Sequence, residues 1–223
     1  MCGKFAARAS WREVTNYLEA MKGASLAAAG EGEDRDVSYR VMSALPVIVW
    51  DKTLGLRRIV PMRWGFPARD DPRRPDPVHA RAETIDEKPT FRGAFLDGQR
   101  GIVLARNFNE APDVPGPTVQ HTITPGKETV IGIAFLWRRF GDLVACVMVT
   151  VPANELIATL PTDRMPAILA NEDWGTWLGE TGTPADAKAC LVTRAGSDWR
   201  MNLEQRAQKP RRRPTTSDPG GLF

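Results

Sequence analysis

Thr129-Val-Ile-Gly-Ile-Ala-Phe-Leu136 and Leu143-Val-Ala-Cys-Val-Met-Val-Thr150 are two short apolar runs rich in β-branched residues, divided by a turn at Gly141-Asp142. Runs of this length and composition read as buried strands. Working outward, Val47–Trp50, Leu56–Val60 and Gly101–Ala105 have the same character. A helix is expected from about residue 11 to Ala29, because Ser10 and Glu13 have capping-box spacing and Trp11, Val14, Leu18 and Met21 recur on one face. Pro152–Leu160, Glu172–Leu178 and Pro184–Cys190 read as short helices, the last opened by Thr183 with Pro184 in its first turn. Repeated strand-helix units, a glycine-rich first turn and internal repeats are all missing from the sequence. The pattern is therefore α+β, a single β-rich domain with peripheral helices.

A chain of 223 residues is long enough for one substantial core. No apolar run is long enough to span a bilayer and no basic-then-apolar signal stretch opens the chain, so no membrane role and a cytoplasmic location are expected. Three cysteines cannot all pair, which suits a reducing compartment. Cys146 and Cys190 lie in apolar surroundings and read as small buried hydrophobes. Two histidines and no close Cys/His/Asp cluster argue against a metal site.

The formal charge of +3 permits an acidic partner without requiring one. Arg57-Arg58, Arg63, Arg69, Arg73-Arg74 and Arg81 fall in one stretch, interrupted by Trp64, Phe66 and Pro67. Basic residues beside aromatic ones suit a nucleic-acid strand, and a solvated charged face is the alternative. From about residue 206 the composition turns to Arg, Lys, Pro, Ser and Gly, a basic tail expected to be disordered.

Removal of Met1 from Met1-Cys2-Gly3 leaves Cys2 with a free α-amine and a thiol on adjacent carbons. Such a 1,2-aminothiol condenses with an aldehyde through an imine, which the thiol closes into a thiazolidine. With ordinary pKa values near about 8 and 8.5, both nucleophiles are partly available at neutral pH.

Several islands carry a resemblance in order. They are Cys2-Gly3, Arg63-Trp64-Gly65, Ala80-Arg81-Ala82-Glu83-Thr84 with Lys88-Pro89-Thr90-Phe91, Glu110 after an apolar strand, Val149-Thr150 with Ala153-Asn154, and Asp163-Arg164-Met165-Pro166-Ala167-Ile168-Leu169. The chain resembles the SOS response-associated peptidase (SRAP) family over roughly residues 2–205. The resemblance implies mostly antiparallel, barrel-like sheets. It also implies a monomer that binds single-stranded DNA and captures the aldehyde of an abasic site as a Cys2 thiazolidine, with no cofactor, acting at the bacterial nucleoid. Glu110 would then be the general acid and base. Read alone, it is equally a surface carboxylate at a strand end. Arg63 and Arg81 become candidate phosphate contacts and Trp64 and Phe66 candidate base-stacking residues. Arg164 either meets DNA or pairs with Asp163 or Glu83.

The sequence departs from the family pattern at two site positions. His79 stands where the family has asparagine, and Thr162 where it has the histidine assigned to sugar ring opening and proton transfer. A threonine hydroxyl does not titrate near neutrality, so His79 is a candidate to supply the imidazole from across the pocket. Asn107-Phe108-Asn109-Glu110-Ala111 also lacks the glycine and tryptophan that usually flank the glutamate. Slow or poorly reversible capture is the expectation, with weak strand cleavage by β-elimination from the imine. A Cys-dependent self-processing peptidase and a noncatalytic nucleic-acid-binding relative are the competing readings.

Overall fold

The computed structural model describes residues 4–7, 37–68, 75–112, 119–126 and 130–203. Five strands close into a barrel: β3 (Ala44–Asp51), β4 (Leu56–Trp64), β6 (Arg100–Ala105), β9 (Ile131–Phe140) and β10 (Leu143–Pro152). The order is β4-β3-β6-β9-β10, and β10 returns to β4 through Ala145 opposite Arg63 and Cys146 opposite Trp64. That closing pair is parallel, while the other neighbours in the ring are antiparallel. Closure leaves these five strands without a free edge.

The apolar runs are continuous because both faces of these strands are covered. Every residue of β6 is buried, as are Ile131–Leu136 of β9 and Ala145–Val151 of β10. Leu45, Ile48, Ile102 and Phe135 are among the buried side chains on the two faces of these strands. Outside, a short helix α2 (Trp174–Leu178) lays two indoles on the strands: Trp177 Nε1 donates to the Gly101 carbonyl at 2.9 Å, and a Cβ on Gly132 would stand 2.5 Å from Trp174 Cζ2. Gly132 is there because the ring occupies its side-chain space.

Shorter strands extend the ring. β5 (His79–Arg81) adds parallel to β10, β11 (Arg164–Pro166) antiparallel to β10, and β12 (Ile168–Leu169) antiparallel to β9. After β6 the chain crosses Arg106 and enters a second sheet as β7 (Asn107–Glu110). That sheet is fully antiparallel, with β1 (Lys4–Ala7), β2 (Val37–Arg40), β8 (His121–Thr124) and β13 (Arg200–Leu203) in the order β13-β8-β7-β1-β2.

The five expected strands are all present, four of them inside a longer one, while Thr129–Leu136 overlaps β9, which begins at Ile131. Two of the expected short helices stand as α2 and α3 (Pro184–Ala189), and the Thr183 side chain and Asp186 form a full capping box on α3. Pro152–Leu160 is a correction. β10 runs through Pro152, and a single 3₁₀ turn, Ile157–Thr159, follows where Asn154 Oδ1 accepts from the Ile157 N–H at 2.9 Å. Leu160 is already extended, so one turn is all that Asn154 starts. Helix α1 (Pro89–Leu96) was not anticipated, although Pro89 in its first turn is a start signal. The helix expected over residues 11–29 and the tail from 206 lie outside the described residues.

Candidate active site

Glu110 is the last residue of β7 and is fully buried, so it is not a surface carboxylate. A carboxyl taken out of water needs polar company, and the Ala111 N–H donates to its Oε1 at 3.2 Å. Two strands flank it. On one side lies β1, whose first residue, Lys4, is opposite Asn109, the neighbour of Glu110. Met1-Cys2-Gly3 lie outside the described residues, and the chain enters the sheet beside the buried carboxylate. On the other side lies β8, where His121 is directly opposite Glu110.

His121 was passed over in the sequence reading. The signal was there: Ile123 flanked by Thr122 and Thr124, with His121 in front, is a short β-branched strand. Register fixes the pairing. Phe108 is opposite Ile123, both fully buried, and Asn109 Nδ2 donates to Thr122 Oγ1 at 3.1 Å. A slip by one residue would turn the apolar pair outward and break that hydrogen bond.

The other candidate site residues belong to the barrel and its extensions. His79, half-buried on β5, meets the edge of Trp64 with ring centroids 6.2 Å apart. Thr162 lies in the turn before β11, and its Oγ1 is buried without a hydrogen-bond partner among the described residues. Arg164 forks onto Glu83 at 2.7 and 2.9 Å and also donates to the Thr150 carbonyl at 2.6 Å. It is buried and thus joins three of the motif islands, taking the Glu83 alternative instead of facing a strand of DNA. Arg81 sits on the exposed side of the same cluster.

The stacking role expected of Trp64 and Phe66 is corrected by their burial. Trp64 has no exposed surface and its Nε1 donates to the Val78 carbonyl at 3.0 Å, while Phe66 is 1% exposed and packs its edge on Phe140 at 5.2 Å. Neither offers a face to a base. Arg63 ties the loop that follows them, donating to the Gly65 carbonyl at 2.8 Å and pairing with Asp76. Glycine suits position 65 because its backbone is left-handed, at φ 122°. Arg57 pairs with Glu180 and Arg58 with Asp51, so much of the basic stretch is neutralised within the fold. Arg69, Arg73 and Arg74 lie outside the described residues.

These pairs set an acid limit. The Arg164 fork holds the Glu83 carboxyl below the usual carboxylate range, the Ala68 N–H and then Arg63 do so for Asp76, and Lys188 does so for Asp86. Each is a stronger acid folded than unfolded, so its stabilisation is complete above the unfolded-chain values of about 4 and is lost as pH falls through the lower folded ones. The thermal midpoint should be level from neutrality to about pH 5 and decline below about pH 4. Asp76→Asn should flatten that decline in a pH series of melting curves.

Cys146 and Cys190 are buried, as their sequence context indicated. Burial pushes both thiols up, Cys190 to about 11, so neither is a nucleophile at neutral pH.

The family model described as SOS response associated peptidase (SRAP) matches residues 1–205. The chain belongs to the SRAP family. Among its relatives are two proteins of Bacillus subtilis. The abasic site processing protein YobE is 28% identical over 201 residues, covering 86% of this chain and 88% of its own. The abasic site processing protein YoqW is 27% identical over 201 residues, covering 86% of each. The SRAP fold is seen again in a Bacteroides thetaiotaomicron protein, with a TM-score of 0.75 at 19% identity over 92% of this chain and 93% of that one. A Bordetella bronchiseptica protein gives 0.71 at 21% identity, over 92% of this chain and 100% of that one. The sequence islands thus identified the family, and the β-rich α+β fold is the one expected of a SRAP chain. Among the described residues, no helix is long and apolar enough to cross a membrane.

Proposed function

We propose that this chain processes abasic sites by capturing the sugar aldehyde in single-stranded DNA on Cys2, acting as a monomer once Met1 is removed. The observation that carries the reading is the burial of Glu110 one residue beyond the point where β1, the strand that follows Cys2, pairs with β7. The relatives named as abasic site processing proteins support the substrate class.

The chemistry uses one carboxyl twice. The Cys2 amine adds to the aldehyde carbon and gives a carbinolamine. Glu110, protonated, donates its proton to the hydroxyl, which leaves as water, and the carbon–nitrogen double bond forms as an iminium. The thiol sulfur then attacks that carbon while its proton returns to the Glu110 carboxylate. Aminothiol and aldehyde become thiazolidine and water, and Glu110 ends as it began. Arg81, exposed at the rim of the Arg164–Glu83 cluster, would meet a phosphate of the bound strand.

The test is intact mass under denaturing conditions after mixing Met1-processed protein with a single-stranded oligonucleotide carrying one abasic site. The expected product has the summed mass of protein and DNA less one water, and it is absent with Cys2→Ser and with undamaged DNA. Loss of the adduct in the wild-type protein would overturn covalent capture. Reversible retention of DNA by both wild type and Cys2→Ser would instead favour a noncatalytic binding role. A formed adduct should also resist salt, whereas the encounter with DNA weakens steeply with it.

A further inference from the structure

Capture needs an open aldehyde, but an abasic deoxyribose is chiefly a closed hemiacetal. Opening it takes a base for the hydroxyl proton and an acid for the ring oxygen. A single carboxyl supplies one of these at a time. Thr162 supplies neither, and His79 lies on β5 against Trp64, in the barrel-side sheet.

His121 is across the strand pair from Glu110 itself. Directly opposite residues of an antiparallel pair project to the same face with Cβ atoms about 4.5–5.5 Å apart. The ring is half-buried, and its Nδ1 is shut off from solvent with no hydrogen-bond partner among the described residues. An imidazole nitrogen in that state is either a donor or an acceptor awaiting a proton partner. Across the sheet, the residues facing the ring are Glu110 and, diagonally, Phe108 on β7, with Leu203 and Met201 on β13. Among these described neighbours Glu110 is the sole titratable group, and the register sets imidazole and carboxyl beside each other on one face of the sheet.

We infer that His121 and Glu110 act together to open the closed sugar before Cys2 captures it, an assignment that rests on the capture reading above. His121 accepts the proton of the hemiacetal hydroxyl as the carbonyl forms at that carbon. The bond from the same carbon to the ring oxygen breaks, and the ring oxygen takes the proton of Glu110. Passing the proton from His121 back to Glu110 restores both groups, so no proton is gained or lost.

The experiment compares two single-stranded oligonucleotides of one sequence: one with an abasic site, the other with an acyclic linker ending in an aldehyde, which has no ring to open. Rates of denaturant-resistant adduct formation are measured for wild type and His121→Gln. The expected result is a fall of about 10²-fold with the abasic site and a change under about 3-fold with the acyclic aldehyde. Equal slowing on both probes would show a structural role and overturn the inference, as would no slowing on either. Wild type that captures the acyclic aldehyde alone would also overturn it while leaving Cys2 capture standing. Wild type that captures neither sinks the capture reading itself. His121→Asn is measured in parallel, so that a folding defect in one variant does not decide the outcome.

Discussion

Glu110→Gln is expected to lower the rate of adduct formation by about 10²- to 10⁴-fold, the range typical for loss of a positioned general acid–base. Glutamine keeps the size and much of the hydrogen bonding of the carboxyl, including an oxygen able to accept from the Ala111 N–H, but it cannot release or take up a proton. Because Glu110 has no exposed surface, removing its ability to ionise should leave the melting midpoint unchanged or slightly raised. The Cys2 aminothiol still reacts by its intrinsic chemistry, so a residual slow adduct distinguishes this variant from Cys2→Ser, which should form none. Single-turnover rates beside a melting curve make the check. A large loss of stability with an unchanged rate per folded molecule would assign Glu110 to the fold instead.

Trp64→Ala is expected to destabilise the protein by about 3–5 kcal/mol, the range for deleting a fully buried aromatic side chain. Its indole is inside the closed barrel, in edge contact with Phe135 at 6.1 Å, and its N–H satisfies the Val78 carbonyl, which would be left without that donor. Denaturant titration measures the loss. The rate of capture per folded molecule at low temperature should stay close to wild type, because the ring has no surface to give to DNA. A full-strength fold with weakened DNA binding would return Trp64 to the interface.

The barrel strands were legible because a strand buried on both faces leaves a continuous apolar run, as in β9 and β10. β7 and β8 were harder to see. Their polar residues, Asn107, Asn109, Thr122 and Thr124, alternate with a few apolar ones on short segments, and they are held in the sheet by distant parts of the chain, β7 by β1 and β8 by β13. Glu110 was found through the motif it belongs to. His121 belongs to no such motif and is significant through its register. The aromatic and basic residues around Trp64 misled for a related reason. Composition cannot say whether an arginine between aromatics faces a phosphate or an aspartate, and Asp76 is thirteen residues from Arg63 in sequence. Arg164 was left open between DNA and an acid partner, and the Glu83 fork decided it.

The placement of β1 bears on how the protein comes into being. Lys4 pairs with Arg40 of β2 on one side and with Asn109 of β7 on the other, so the first strand made can meet β2 early but cannot meet β7 until roughly a hundred further residues have been synthesised. At about 5–20 residues per second, that is an interval of several seconds or more on the ribosome. On the capture reading proposed above, an aminothiol freed of Met1 spends that interval with neither the buried carboxyl nor a DNA strand beside it. The end of the chain that is born first gains its carboxyl neighbour only when β7 has followed it out, and on that reading the yield of competent protein depends on how quickly it does.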